Sequence, residues 1–166
     1  MEDAAHAYTP PDITQPKAIP AEVSHLLDGS DLLEKTQALR LSTIDAGGWP
    51  HASLLSAGDM LAMPDGCIRF VIFAQSATAA NLARDGRVTM TLVLHGGICE
   101  LRMRARRLSH ASSGGPLAFF EAALEETRVH KAPYADVTLG VTFALHKPNE
   151  VLPRWRRQIA AMREAA

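Results

Sequence analysis

The stretch FAQSATAANLARDG, residues 73–86, places a serine before a run of helix-favouring residues and closes it with Asp85 and Gly86. Ser76 has the chemistry of a helix N-cap, because its hydroxyl can accept from the open amides of a first turn. That turn also carries unpaired N–H groups and the positive end of the helix dipole, which together suit a phosphate monoester. Thr78 adds a hydroxyl on the first turn, and Asn81, one turn on from Thr78, could face the same ligand. A serine at an N-cap is equally an ordinary structural device, so this step alone specifies no ligand. Arg40 could add a bidentate cation to an anion site, or could simply occupy a strand surface. His51 is the candidate for proton donation near neutral pH, against the blander reading of a satisfied, half-buried imidazole.

Other chemistries find little to stand on. Seven histidines show no HxH, HExxH or paired Cys/His spacing, so no metal site is expected. No G-x-S-x-G, Walker or G-x-G-x-x-G pattern occurs. Cys67 and Cys99 lie in separate apolar stretches without a CxxC pair, which reads as free thiols in a reducing compartment. The N-terminus is acidic where a signal peptide is basic, no apolar run is long enough to span a bilayer, and a cytoplasmic address is expected. With 17 Lys and Arg against 18 Asp and Glu, the net charge of −1 supplies no global attraction for nucleic acid or an anionic membrane. The run RMRARR, residues 102–107, alternates basic and apolar residues and reads as one solvated strand face rather than an RNA patch. The expected partner is a small-molecule substrate.

The elements that must position these residues follow from periodicity. Residues 1–20 hold Pro10, Pro11, Pro16 and Pro20 in a polar setting and read as a flexible arm. Residues 21–148 form the main domain, opening with one or two short helices interrupted near Gly29 and Ser30. Residues 38–45 and 50–56 read as a hairpin turned at Gly47 and Gly48, and CIRFVIF, residues 67–73, as a strand covered on both faces. Residues 87–94 and 99–106 alternate as half-buried strands around His95-Gly96-Gly97. After the SSGG break at 112–115, Leu117, Phe120, Glu121 and Leu124 fall at helical spacing, and residues 137–145 return to period two. Residues 149–166 read as an amphipathic helix packed on the domain, with Pro153 placed in its first turn. The 47% apolar content of 166 residues supports one substantial core. Six strands with peripheral helices make the fold class mainly β with short helices, an antiparallel barrel.

This order of elements resembles the pyridoxamine 5′-phosphate oxidase-like split-barrel flavoproteins. The likeness is carried most specifically by LSTIDAGGWPHASLLS, similar to that family's first hairpin, and by FAQSATAANLARDGRV, similar to its phosphate-binding strand-to-helix step. The resemblance implies a six-stranded split β-barrel of the FMN-binding type, assembled as a homodimer with the cofactor at the subunit interface. It implies that Leu41, Ser42 and Thr43, with Phe73, Ala74 and Gln75, flank the flavin ring and ribityl chain, while Ser76, Thr78 and Asn81 take the phosphate. It further implies an oxidoreductase moving hydride or electrons to or from a small organic substrate. Thr78 stands where the family commonly has lysine, which removes one charge from the phosphate site. That departure leaves open a non-enzymatic or haem-binding protein of the same fold, and Arg40 is the residue that could compensate.

Overall fold

The computed structural model describes residues 8–15, 18–109 and 115–166. Its frame is one antiparallel sheet of eight strands: β1 (Asp12–Thr14), β2 (Leu39–Ile44), β3 (Pro50–Leu55), β4 (Met60–Ala62), β5 (Cys67–Phe73), β6 (Arg87–Leu94), β7 (Gly97–Arg107) and β8 (Leu117–His130). Their spatial order is β3-β2-β6-β7-β8-β5-β4, with β1 paired to the far half of β8. The two outer strands, β3 and β4, are consecutive in the chain and joined by residues 56–59. The sheet therefore curls into a half-barrel whose free edges are tied together, the split-barrel class implied by the sequence.

Turn chemistry fixes the register of the two hairpins. Between β2 and β3, Asp45 accepts through Oδ1 from the amides of Gly47 at 2.8 Å and Trp49 at 2.9 Å, and Gly48 takes φ +83°. Between β6 and β7, His95 and Gly96 both adopt positive φ, at 51° and 74°, the two-residue turn that matches strand twist. Alternation then sorts the side chains. Leu39, Leu41 and Thr43 of β2 are buried while Arg40 faces outward, and Val88, Met90 and Leu92 of β6 meet Cys99, Leu101 and Met103 of β7 in the core. Phe70 and Phe120 stack there with ring centroids 5.5 Å apart. Cys67 and Cys99 are free, and burial pushes both thiols above their usual range.

Two expected elements are corrected. Residues 117–124 do not form a helix but begin β8, a strand of 14 residues. Its first half lies between β5 and β7, and Ala118, Phe119, Phe120, Glu121 and Ala122 are all buried, so no period-two alternation is visible and chance helical spacing remains. Residues 137–145 make one isolated bridge, Gln37 to Thr142, instead of a strand; Val137, Leu139 and Val141 are exposed. Of the expected arm, residues 12–14 form β1, while residues 1–7 and 16–17 lie outside the described residues, as do His6, His110 and most of the SSGG break.

Three helices dress the barrel: α1 (Ala21–Leu26), α2 (Ala77–Arg84) and α3 (Pro148–Glu164). α1 and the turn after it bury Val23 and Leu27, and Leu27 O accepts from Ala62 N of β4 at 2.8 Å. In α3 the starting residue is Pro148, which puts Pro153 in the second turn rather than the first. Its missing N–H leaves the exposed carbonyl of Asn149 to solvent. Trp155, Gln158, Ile159 and Met162 turn one face of α3 onto the barrel. Three of the four arginines of the 102–107 run are matched by glutamates of β8: Arg104 to Glu125 at 2.8 Å, Arg106 to Glu121 at 2.7 Å and Arg102 to Glu126 at 3.7 Å.

Candidate functional site

At the end of β5 the chain turns directly into α2. Ser76 is extended, its N donates to Phe73 O at 3.0 Å, and its Oγ accepts from Ala79 N at 3.1 Å. These bonds satisfy two of the orphan donors of the helix start, and among the described residues nothing accepts from the amides of Ala77 and Thr78 at its positive end. At the other end, the side chain and amide of Arg87 hold the Asp85 carboxyl well below the usual carboxylate range. Gly86 then brings its backbone against β7, where Ala105 N donates to Gly86 O at 2.7 Å and any Cβ would sit 2.5 Å from Ala105 O.

The polar side chains of α2 are committed inward. Thr78 and Asn81 are buried; Thr78 Oγ1 donates to Ser53 Oγ of β3 at 3.1 Å, and Asn81 Nδ2 donates to Thr43 Oγ1 of β2 at 3.0 Å. Arg84 adds a contact to the carbonyl of Ile44. The helix is thereby fixed across the open edge of the barrel, with its N-terminus held beside β3.

A cavity of about 530 Å³ lies there, within the size range of small-molecule sites. One wall is Ser53, Leu54 and Leu55 of β3; another is Val71, Ile72 and Phe73 of β5, with Pro116 and Leu117 beside it. Ser76 and Thr78 line the end at α2, and Asp59, Arg154 and Gln158 bring in the link between β3 and β4 and the helix α3. Leu54 and Phe73 are 53% and 65% exposed, so the apolar mouth faces solvent in the single chain.

The ten binding positions inferred from the sequence are divided by this geometry. Phe73, Ser76 and Thr78 line the cavity, while Asn81 and Thr43 stand behind it as a buried pair. Leu41 is fully buried in the core. Ala74 is half-buried and Gln75 exposed at the turn into α2. Arg40 and Ser42 point to the other face of β2, where they border a separate cavity of about 490 Å³ with Thr89, Glu100 and Arg102. His51 is half-buried, opposite Thr43 in the β2–β3 register, and is not among the residues lining the 530 Å³ cavity. Among the described residues, no group of three or more His, Cys, Asp or Glu gathers as a metal centre, and no helix is long and apolar enough to cross a membrane.

The residues that sequence reasoning missed are Ser53, Leu54 and Leu55, Val71 and Ile72, the Pro116–Leu117 wall, and above all Asp59, Arg154 and Gln158. Gly58 was the available signal for the last group. Its Cα packs against the Trp155 ring, and its carbonyl accepts from Gln158 Nε2 at 3.2 Å, which lays α3 along the cavity.

The pattern of the pyridoxamine 5′-phosphate oxidase family matches residues 30–135. YclD, an uncharacterized protein of Bacillus subtilis strain 168, is 34% identical over 136 residues, covering 81% of this chain and 88% of its own. A Lactobacillus delbrueckii structure provisionally assigned as a pyridoxamine 5′-phosphate oxidase aligns with a TM-score of 0.53 at 14% identity, over 72% of this chain and 98% of that one. HupZ of Group A Streptococcus aligns with a TM-score of 0.52 at 16% identity over the same shares. At these identities the structural likeness is one of fold.

Proposed function

The chain belongs to the pyridoxamine 5′-phosphate oxidase family, and on that premise we propose that it is an FMN-binding oxidoreductase acting on a small organic substrate. One observation carries the reading: Ser76 and Thr78, at the amino-terminal end of α2, line the polar end of a cavity walled by Leu54, Ile72 and Phe73, and the amides of Ala77 and Thr78 beside them have no partner among the described residues. A phosphate suits the amides and the dipole, and a flat ring system suits the apolar walls. The bound flavin would supply the hydride or electron chemistry. The chain's own residues bind and orient it: Ser76 shapes the helix start, the Thr78–Ser53 and Asn81–Thr43 bonds hold that start against β3 and β2, and the strand walls exclude water.

In this reading a second copy of the chain covers the exposed mouth at Leu54 and Phe73, making a homodimer with the flavin at the interface. The absence of a lysine at Thr78 is met by a site built on backbone donors. Arg40 does not serve, because it lies on the opposite face of β2. The protein acts in the cytoplasm, where Cys67 and Cys99 stay reduced.

Ala77→Pro tests the phosphate site. Proline is tolerated at the first helical position, and the extended Ser76 before it suits the substitution, so one open N–H is removed while the helix is kept. A charge-assisted hydrogen bond contributes about 1.5–3 kcal/mol, so FMN affinity should fall about tenfold or more while riboflavin affinity holds. Flavin fluorescence quenching measures both. Equal losses for the two ligands would place the phosphate elsewhere, and a wild-type protein that takes up neither flavin would end the reading.

A further inference from the structure

Arg154 and Asp59 are the charged side chains that line the 530 Å³ cavity, and they differ in how their charge is used. Asp59 is fully engaged: Oδ2 accepts from Ser56 Oγ at 2.6 Å and Ser56 N at 3.2 Å, and Oδ1 accepts from Gln158 Nε2 at 2.9 Å. Its carboxylate therefore faces the seam between α3 and the link from β3 to β4. Arg154 has no carboxylate or carbonyl partner among the described residues, and the helix that carries it lies outside the residues matched by the family pattern.

α3 is not loosely placed. Trp155, the next residue, is buried against Gly58, and Gln158, one turn on, is tied to both Gly58 O and Asp59. An arginine without a partner among the described residues thus lines the cavity from a fixed backbone. Guanidinium groups recognise carboxylates and phosphates through paired, directional hydrogen bonds, and a cation at the rim of an apolar cavity favours a ligand with an acidic substituent over its neutral analogue.

We propose that Arg154 is a specificity-determining residue of this cavity, pairing with an acidic group on the ligand that fills it. The inference deepens the flavin reading and rests on the same cavity. The acidic group has two sources, the phosphate of FMN or the carboxylate or phosphate of a small substrate, and both present the same oxygen chemistry to the guanidinium.

The test compares Arg154→Gln with wild type on two ligand pairs, each an anion and a neutral counterpart. The first pair is FMN and riboflavin, followed by flavin fluorescence. The second is 8-anilinonaphthalene-1-sulfonate and N-phenyl-1-naphthylamine, followed by dye fluorescence on flavin-free protein. The substitution should cut the preference for the anion about tenfold in at least one pair, Arg154→Lys should keep the part that comes from charge alone, and Arg157→Gln, at an arginine of α3 that is not among the residues lining the cavity, should leave it intact. Loss confined to the flavin pair assigns the flavin phosphate as the partner; loss confined to the dyes assigns an acidic substrate. A wild-type protein that binds neither flavin defeats the flavin reading alone, and the dye pair then decides on Arg154. Unchanged preference in both pairs, an equal effect of Arg157→Gln, or a wild-type protein that holds none of the four ligands overturns the proposal.

Discussion

A Cβ placed on Gly58 would stand 2.0 Å from Cδ2 and 2.1 Å from Cγ of Trp155, a ring that is itself buried and set edge-on to Phe143 at 6.1 Å. Neither partner has room to retreat, so Gly58→Ala should destabilise the fold by about 1–3 kcal/mol, the usual range for overpacking. A urea titration reads this as a lower midpoint with an unchanged slope; an unmoved midpoint would show that the helix can shift. At this scale part of the site was legible. Ser76 announces itself through local chemistry, since a cap acts within its own turn. Thr78 and Asn81 were legible as polar residues one turn apart on the same helix, but their partners, Ser53 and Thr43, are 25 and 38 residues away. No local pattern distinguishes a side chain facing a ligand from one bonded to a neighbouring strand.

At the scale of elements, α3 is fastened along its length. Gln158 holds it near the cavity, and Arg69 of β5 holds its end, with Nη1 donating to Met162 O at 2.6 Å and Nε to Glu121 Oε2 at 2.9 Å. Arg106 donates to the other oxygen of Glu121 at 2.7 Å. Arg69 and Glu121 side chains are 12% and 10% exposed, so this is a pair that water screens little. Arg69→Met should therefore destabilise by about 2–3 kcal/mol, below the full penalty for breaking a buried pair because Arg106 still neutralises Glu121. Amide hydrogen exchange should rise in the last turn of α3 first; uniform acceleration across the chain would argue against a local fastening. The elements that alternated cleanly, β2, β6 and β7, could be read from sequence. β8 could not, because its buried half shows apolar residues on both faces, and helix-favouring alanines such as Ala122 and Ala123 are overruled by pairing on both sides.

For the whole molecule, the apolar mouth is the feature that asks for a partner copy. Leu54 and Phe73 border the cavity and are exposed, as are Leu139 and Val141 on the segment bonded to the residues that lead into β2. Sedimentation equilibrium at micromolar concentration should give the mass of two chains, and Phe73→Glu should shift it toward one while circular dichroism stays native. A monomeric wild type would defeat the interface reading of the flavin site. The barrel class was accessible from sequence because a hairpin and a strand-to-helix step are local motifs. The position of the C-terminal helix over the cavity was not, because it depends on one close approach, at Gly58, that only the folded chain displays.

The link between β3 and β4 has a mechanical consequence. Residues 56–59 join the two free edges of the sheet, and Asp59 is held from three directions: by Ser56, by Gln158, and through its carbonyl by Val71 N at 2.9 Å. The β3 and β5 walls of the cavity are therefore tethered to each other at the end where Asp59 sits. A ligand entering this cavity would meet walls already braced against opening, so a flat molecule would lose less affinity to reorganising its host than one that must force them apart.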